Sequence, residues 1–202
     1  MAENVESQTF FHVSVAKPYK TVLLLHQSLS VGICNNPFFH FYEGVREYPI
    51  AQQDGSLLYI EAIDWLNNVR LGRITPASPA ILANIAHEVA EHYVILTREL
   101  IMEEMRKEIT SEAPSRQRCL YLCENEVHAH YWRDRIGDGG VICSLKCTGI
   151  LHRADARLLL ADSEPLSLTR ERARSYWNGE MTESPEREVL FEGDAFVTAV
   201  GL

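Results

Sequence analysis

The 202-residue sequence lacks an apolar run long enough to cross a bilayer, and its opening residues lack the pattern of a secretory signal. A membrane-spanning helix needs about 20 consecutive apolar residues. The first segment, MAENVESQTFF, has neither a basic start nor an apolar stretch after it. These absences predict a cytoplasmic protein without a membrane span, although secretion without a cleavable signal would leave no such pattern.

Basic residues are scarce, with 19 Lys and Arg against 28 Asp and Glu, and the formal net charge is −9. Cationic side chains supply the counterion release that drives binding to a nucleic-acid backbone. The charge balance therefore disfavours general coating of DNA or RNA. Hydrophobic residues make up 46% and charged residues 23%. Both values are ordinary for a globular chain, and they exclude global disorder and collagen-like structure.

Cysteine is limited to five residues, and an odd count without a signal peptide predicts reduced thiols. Four of them form two C-x3-C pairs, Cys119 with Cys123 and Cys143 with Cys147. On an extended strand, each pair lies on one face, where a free cysteine packs well in a core. Zinc sites favour C-x2-C or turn residues between the ligands, and neither is present. Core packing is the favoured interpretation, with a structural zinc site as the alternative.

The apolar periodicity predicts a single α+β domain over residues 1–202, in which strands enclose an early helical region. Strands are predicted over residues 9–16, 117–123, 141–148, 187–192 and 195–200, the last two around a turn at Glu192-Gly193-Asp194. Helices are predicted over residues 57–70, 125–136 and 167–177, the last closed by Asn178-Gly179. Residues 28–55 are predicted to be irregular.

The longest predicted helix begins at Ser78-Pro79, a capping residue followed by a proline, and continues to about Lys107. Its apolar residues recur at steps of three and four: Leu82, Ile85, Val89, Tyr93, Leu96 and Leu100. Its other faces carry glutamates that the pattern assigns to a solvated surface: Glu88, Glu91, Glu103, Glu104 and Glu108.

The segment EREVLFEGDAFVTAV, residues 186–200, places Glu186 and Glu188 two positions apart where a strand begins. Side chains two apart share a strand face, and two buried carboxylates would repel each other, so the pattern alone predicts an exposed strand end. The string also resembles the last motif of ADP-ribosyltransferases, E-x-E followed by an apolar strand, a glycine and another strand. That resemblance makes Glu188 the catalytic glutamate. It makes Glu186 the residue that orients the acceptor in the arginine-modifying class.

The segment EAPSRQRCLYL, residues 112–122, resembles the middle motif of the same family, which holds a serine or, in another branch, a tyrosine. Ser115 and Tyr121 are the two candidates. From the residues alone, Ser115 is equally a turn residue beside Pro114, and Tyr121 a core residue of a strand. The guanidinium of Arg116 suits either a carboxylate or the pyrophosphate of NAD.

The segment FFHVSV, residues 10–15, resembles the first motif of the family, which places an arginine or a histidine against the ribose side of NAD. His12 fits this role, although a lone histidine on a strand is more often a hydrogen-bonded core residue. Arginine-modifying enzymes carry arginine at this position and S-T-S in the middle motif, so the resemblance does not fix arginine as the acceptor. In ARSYWNG, Tyr176 and Trp177 are expected to anchor a helix in the core rather than stack on a nicotinamide.

In this order the motifs resemble a family of largely uncharacterised bacterial proteins related in fold to ADP-ribosyltransferases. The resemblance implies a split β-sheet core with a helical region in the N-terminal half. It implies a mono-ADP-ribosyltransferase, such as a toxin or effector, that cleaves the nicotinamide–ribose bond of its substrate NAD. A protein side chain is the expected acceptor. A non-catalytic module that binds a nucleotide or a protein on the same fold is the alternative.

Overall fold

The structure, a computed structural model, describes residues 2–16, 22–52, 54–137, 139–159 and 164–202. It divides into two compact units, which are described separately: Met1–Phe41 with Arg98–Leu202, and Tyr42–Thr97. The mixed α+β class is confirmed, while one domain over residues 1–202 stays a prediction. Within the described ranges, no helix has both the length and the apolar character needed to cross a membrane.

In chain order the strands are β1 (Glu3–Ser14), β2 (Ser28–Val31), β3 (Glu47–Ala51), β4 (Leu57–Glu61), β5 (Leu120–Leu122), β6 (Val141–Asp155) and β7 (Arg187–Val200). The helices are α1 (Pro37–Glu43), α2 (Ala62–Arg70), α3 (Pro79–Ile109), α4 (Glu126–Ile136) and α5 (Leu166–Trp177), with a short 3-10 helix at Ala156–Leu158. The predictions of α3, α4 and α5 are confirmed, including the Asn178 cap of α5.

The larger unit is built on an antiparallel sheet with the strand order β1-β6-β7-β2. The short strand β5 pairs with β7, and a bridge between Phe11 and Cys123 ties the residue after β5 to β1. Because β5 links β1 to β7 in this way, the three strands that carry the candidate motifs lie side by side.

Several predicted boundaries differ from the structure. The strand predicted over residues 141–148 continues to Asp155, and β7 runs without a break through the turn predicted at Glu192-Gly193-Asp194. Residues 57–61 form a strand rather than the start of a helix, because they pair with β3. The segment predicted to be irregular contains β2, α1 and β3, and its residue 53 lies outside the described residues.

All four cysteines of the two C-x3-C segments are free thiols buried in the core of the larger unit, so the packing interpretation is confirmed. Cys143 and Cys147 share one apolar cluster with Phe10, while Cys119 and Cys123 belong to two other clusters. Among the described residues, no group of three or more His, Cys, Asp or Glu is arranged to hold a metal ion.

The smaller unit contains a two-stranded antiparallel sheet, β3 with β4, followed by α2 and the first part of α3. Trp65 of α2 is buried, and its indole N–H donates to the carbonyl of Pro49 at 3.4 Å. The hydroxyl of Tyr48 donates to Glu88 of α3 at 2.7 Å. The helix α3 begins in this unit and ends in the larger one.

Candidate functional site

His12 on β1 is held by the strand that carries the middle motif. Its Nδ1 lies 2.8 Å from the backbone carbonyl oxygen of Tyr121, and the side chain is buried. Since a carbonyl oxygen only accepts hydrogen bonds, Nδ1 carries the proton and donates it. The bridge between Phe11 and Cys123 sets this contact, because it aligns β1 with the end of β5.

Tyr121 lies between His12 and Arg116. Its hydroxyl donates to the backbone carbonyl of Arg116 at 3.0 Å, and the Arg116 guanidinium lies over its ring, 5.3 Å from the ring centre. Burial raises the pKa of Tyr121 well above its ordinary value, although the Arg116 cation opposes that shift. The phenol therefore stays protonated and acts as a donor at neutral pH.

Arg116 is almost completely buried, and every nitrogen of its guanidinium is engaged. Nε donates to Glu99 Oε2 at 3.0 Å, and Nη1 donates to Glu188 Oε1 at 2.7 Å. Burial alone would lower the pKa of Arg116, but the surrounding anionic and phenolic groups, Glu99 first, hold it well above its ordinary value. The structure thus pairs Arg116 with carboxylates, which is one of its two predicted roles, and a pyrophosphate would have to displace them.

Glu188 is held through one of its two carboxylate oxygens. Oε1 accepts from Arg116 Nη1 at 2.7 Å and from the Tyr176 hydroxyl at 2.6 Å. Oε2 has no hydrogen-bond partner among the described residues, and the side chain is 10% exposed. The carboxylate is therefore fixed in orientation with one oxygen uncommitted.

Ser115 adjoins Arg116 in the chain but faces a different polar cluster. Its hydroxyl donates to Glu103 at 2.8 Å, and its backbone N–H donates to Glu192 at 2.9 Å. Arg106 holds Glu103 through two hydrogen bonds. Glu103 is therefore not part of the solvated surface that the helical pattern predicts.

Glu186 lies in a setting different from that of Glu188. Its Oε1 accepts from Arg135 at 3.1 Å and lies 3.6 Å from Arg157. Its backbone N–H donates to Asp155 at 2.9 Å. Of the six predicted site residues, the structure brings together His12, Tyr121, Arg116 and Glu188, which we call the site cluster. The hydroxyl of Ser115 and the carboxylate of Glu186 have other partners.

Two residues of this network were not predicted as site residues. Tyr176 is fully buried against Trp177, as expected of a core anchor, but its hydroxyl also donates to Glu188. Glu99 on α3 binds Arg116, and no motif marks it.

A family match covers almost the whole chain, including every residue of the site cluster. Residues 10–200 match a family described as Protein of unknown function (DUF2441). The chain belongs to the DUF2441 family. No curated protein matches it. In this DUF2441 chain, the matched region runs from within β1 to the end of β7, so it contains the sheet that assembles the cluster.

Proposed function

We propose that this DUF2441 protein is an NAD-dependent mono-ADP-ribosyltransferase with an ADP-ribosyltransferase-like split-sheet fold and the site cluster as its NAD site. The observation that carries the proposal is the hydrogen bonding of the Glu188 carboxylate. One of its oxygens is fixed by Arg116 and Tyr176, and the other has no partner among the described residues. A carboxylate oriented in this way can act on a cation that forms beside it.

The proposed chemistry uses that uncommitted oxygen. Cleavage of the nicotinamide–ribose bond passes through a transition state that resembles an oxocarbenium ion. Glu188 Oε2 accepts a hydrogen bond from the ribose 2′-hydroxyl, and its negative charge lowers the energy of the developing cation. Nicotinamide leaves with the bonding electron pair. A nucleophile of the acceptor then attacks the ribose C1′ and loses a proton.

The other members of the cluster bind and orient the NAD in this proposal. His12 holds the ribose, since its ring is fixed by the Tyr121 carbonyl. The ring of Tyr121 covers the nicotinamide. Arg116 keeps Glu188 in place rather than contacting the pyrophosphate, because its nitrogens are engaged. Glu186 remains a candidate for contact with the acceptor, and Ser115 for contact with the ribose. Each side chain would first have to give up its present hydrogen-bond partners.

A protein side chain is the proposed acceptor. The net charge of −9 disfavours a nucleic-acid acceptor, because the approach of a polyanion would be opposed. Transfer to water, which is hydrolysis of NAD, is the expected side reaction when no acceptor is present.

A second candidate function is a non-catalytic module that binds a nucleotide or a protein. The ion pair between Arg116 and Glu188 favours it, because a carboxylate that neutralises a buried guanidinium has a structural role whether or not it has a catalytic one.

Titration of the purified protein with NAD, followed by an assay for free nicotinamide, separates the two functions. The transferase predicts saturable NAD binding and release of nicotinamide, which rises when a protein acceptor is supplied. Binding without release, with and without an acceptor lysate, favours the non-catalytic module. A protein that neither binds NAD nor releases nicotinamide is not an ADP-ribosyltransferase.

A further inference from the structure

A buried chain of alternating charges leads from α3 to Glu188. Arg98 contacts Glu99 at 2.8 Å, Glu99 contacts Arg116 at 3.0 Å, and Arg116 contacts Glu188 at 2.7 Å. The two positive and two negative charges balance. Glu99, Arg116 and Glu188 come from α3, from the segment before β5 and from β7, so the chain joins three parts of the larger unit.

Glu99 anchors the middle of this chain. It is 1% exposed, its Oε2 accepts from Arg116 Nε, and its Oε1 accepts from Arg98 at 2.8 Å. Burial would raise the pKa of Glu99, but Arg116 and Arg98 together hold it below the ordinary value. Glu99 is therefore an anion that fixes the plane of the Arg116 guanidinium and with it the direction of Nη1.

Tyr176 supplies the second constraint on Glu188. Its hydroxyl lies 2.6 Å from Glu188 Oε1 and 2.7 Å from Arg116 Nη1. Burial raises the pKa of Tyr176 well above its ordinary value, so the phenol remains protonated. Since Arg116 can only donate, Tyr176 accepts from Nη1 and donates its own proton to Glu188.

We propose that Glu99 and Tyr176 are positioning residues for Glu188, Glu99 acting through Arg116 and Tyr176 directly. Together they commit Oε1, so that Oε2 is the oxygen presented to the substrate. This inference rests on the proposed function. Stability alone does not require such an arrangement, because apolar residues of similar volume are often as stabilising as a buried ionic chain. A carboxylate that must stay charged and hold one direction, however, needs fixed donors of this kind.

The test measures kcat and KM for NAD in nicotinamide release by two conservative variants. Tyr176→Phe keeps the ring and removes only the hydroxyl. Glu99→Asp keeps the charge and shortens the side chain by one methylene, which draws Arg116 away from Glu188. Each variant is expected to lower kcat by about tenfold to a hundredfold, because a displacement of a catalytic group by about 1 Å can cost up to about a hundredfold. The KM for NAD should change by less than about twofold, because neither residue touches substrate.

Matched controls use exposed residues of the same types, Tyr59→Phe in the smaller unit and Glu104→Asp on α3, which should leave kcat unchanged. The double variant Tyr176→Phe with Glu99→Asp should lose less than the product of the single losses, because both act on one carboxylate.

The possible outcomes separate this inference from the proposed function. If the wild type releases nicotinamide while Tyr176→Phe and Glu99→Asp, folded by near-UV circular dichroism, retain its kcat, the positioning roles are wrong and the transferase stands. A rise in KM at constant kcat would also overturn the inference, because it would place these residues in NAD binding. A wild type that releases no nicotinamide with any acceptor overturns both.

Discussion

Gly149 of β6 lies directly opposite Gly193 of β7, and neither position leaves room for a side chain. A Cβ on Gly149 would lie 2.2 Å from the carbonyl oxygen of Glu192, and one on Gly193 would lie 2.4 Å from that of Thr148. Their φ angles of 157° and 140° are also ones that other residues rarely adopt. The pair therefore allows the backbones of β6 and β7 to approach closely, and β7 is the strand that carries Glu188.

We predict that Gly193→Ala and Gly149→Ala each lower the free energy of unfolding by about 3 kcal/mol. The added methyl group would collide with the backbone of the neighbouring strand, which cannot move aside as a flexible side chain could. Gly201→Ala is the control, since Gly201 also has a positive φ but a Cβ added there would have no neighbour within 4 Å among the described residues. Urea denaturation measures the difference. If Gly193→Ala is as stable as Gly201→Ala, the close approach is not important for folding.

His152 makes stability depend on pH. It is fully buried beside Tyr176 and Trp177, its Nε2 lies 3.3 Å from the Tyr176 carbonyl, and its Nδ1 has no partner among the described residues. Burial lowers the pKa of His152 from 6.5 to about 4. The unfolded chain therefore takes up a proton below about pH 6.5, which the folded chain resists until about pH 4.

The contribution of His152 should accordingly lower the free energy of unfolding by about 3 kcal/mol as the pH drops from about 6.5 to 4. His152→Leu should flatten that decline, while His87→Leu, on the exposed side of α3, should keep it. Urea titrations at several pH values measure the slope. An unchanged slope in His152→Leu would show that other groups cause the acid sensitivity.

Asp155 fixes the segment that leads into Glu188. Its Oδ1 accepts from the backbone N–H groups of Arg157 and Glu186, and its Oδ2 accepts from the N–H and hydroxyl of Thr182. Burial opposes its ionisation, but these hydrogen bonds hold the pKa of Asp155 below its ordinary value. Its contribution is therefore present above about pH 4 and is lost as the pH falls through the lowered pKa.

We expect Asp155→Asn to lower the free energy of unfolding by about 2 kcal/mol, because an amide nitrogen would replace one oxygen that accepts two hydrogen bonds. Amide hydrogen exchange at Thr182 and Glu186 should accelerate, whereas the exposed Asp134→Asn should change neither property. Unaltered exchange at both amides would mean that Asp155 does not hold this segment.

Sequence patterns predicted α3 but not the face that it buries. The predicted stripe includes Tyr93 and Leu100, which are 45% and 52% exposed. The buried face instead includes polar residues, among them His92 and Glu99. A hydrophobic periodicity does not identify such positions, because a buried charge is stable only beside partners. One partner of Glu99, Arg98, is its neighbour in the chain, but the other, Arg116, lies 17 residues away.

The presence of most strands was easier to predict from the sequence than their lengths. Aromatic and β-branched residues predict β1, and apolar alternation predicts β6. Gly193 of β7, however, resembles a turn in sequence, because glycine occurs both in turns and where strands approach closely. The helix predicted over residues 57–70 rests on Ile60, Ile63, Leu66 and Val69 at steps of three. Only pairing with β3 shows that residues 57–61 form a strand. The candidates His12, Tyr121, Arg116 and Glu188 meet because β5 links β1 to β7, a tertiary relation that no local pattern encodes.

Nicotinamide release by the wild type and by Glu188→Gln is the most direct test of the proposed activity. The glutamine keeps the shape of the side chain and removes its charge, so turnover should fall by about a hundredfold or more, the cost of losing one preorganised electrostatic contact. The exposed Glu183→Gln should retain wild-type turnover. A natively folded Glu188→Gln variant with near-wild-type turnover would contradict the catalytic role of Glu188.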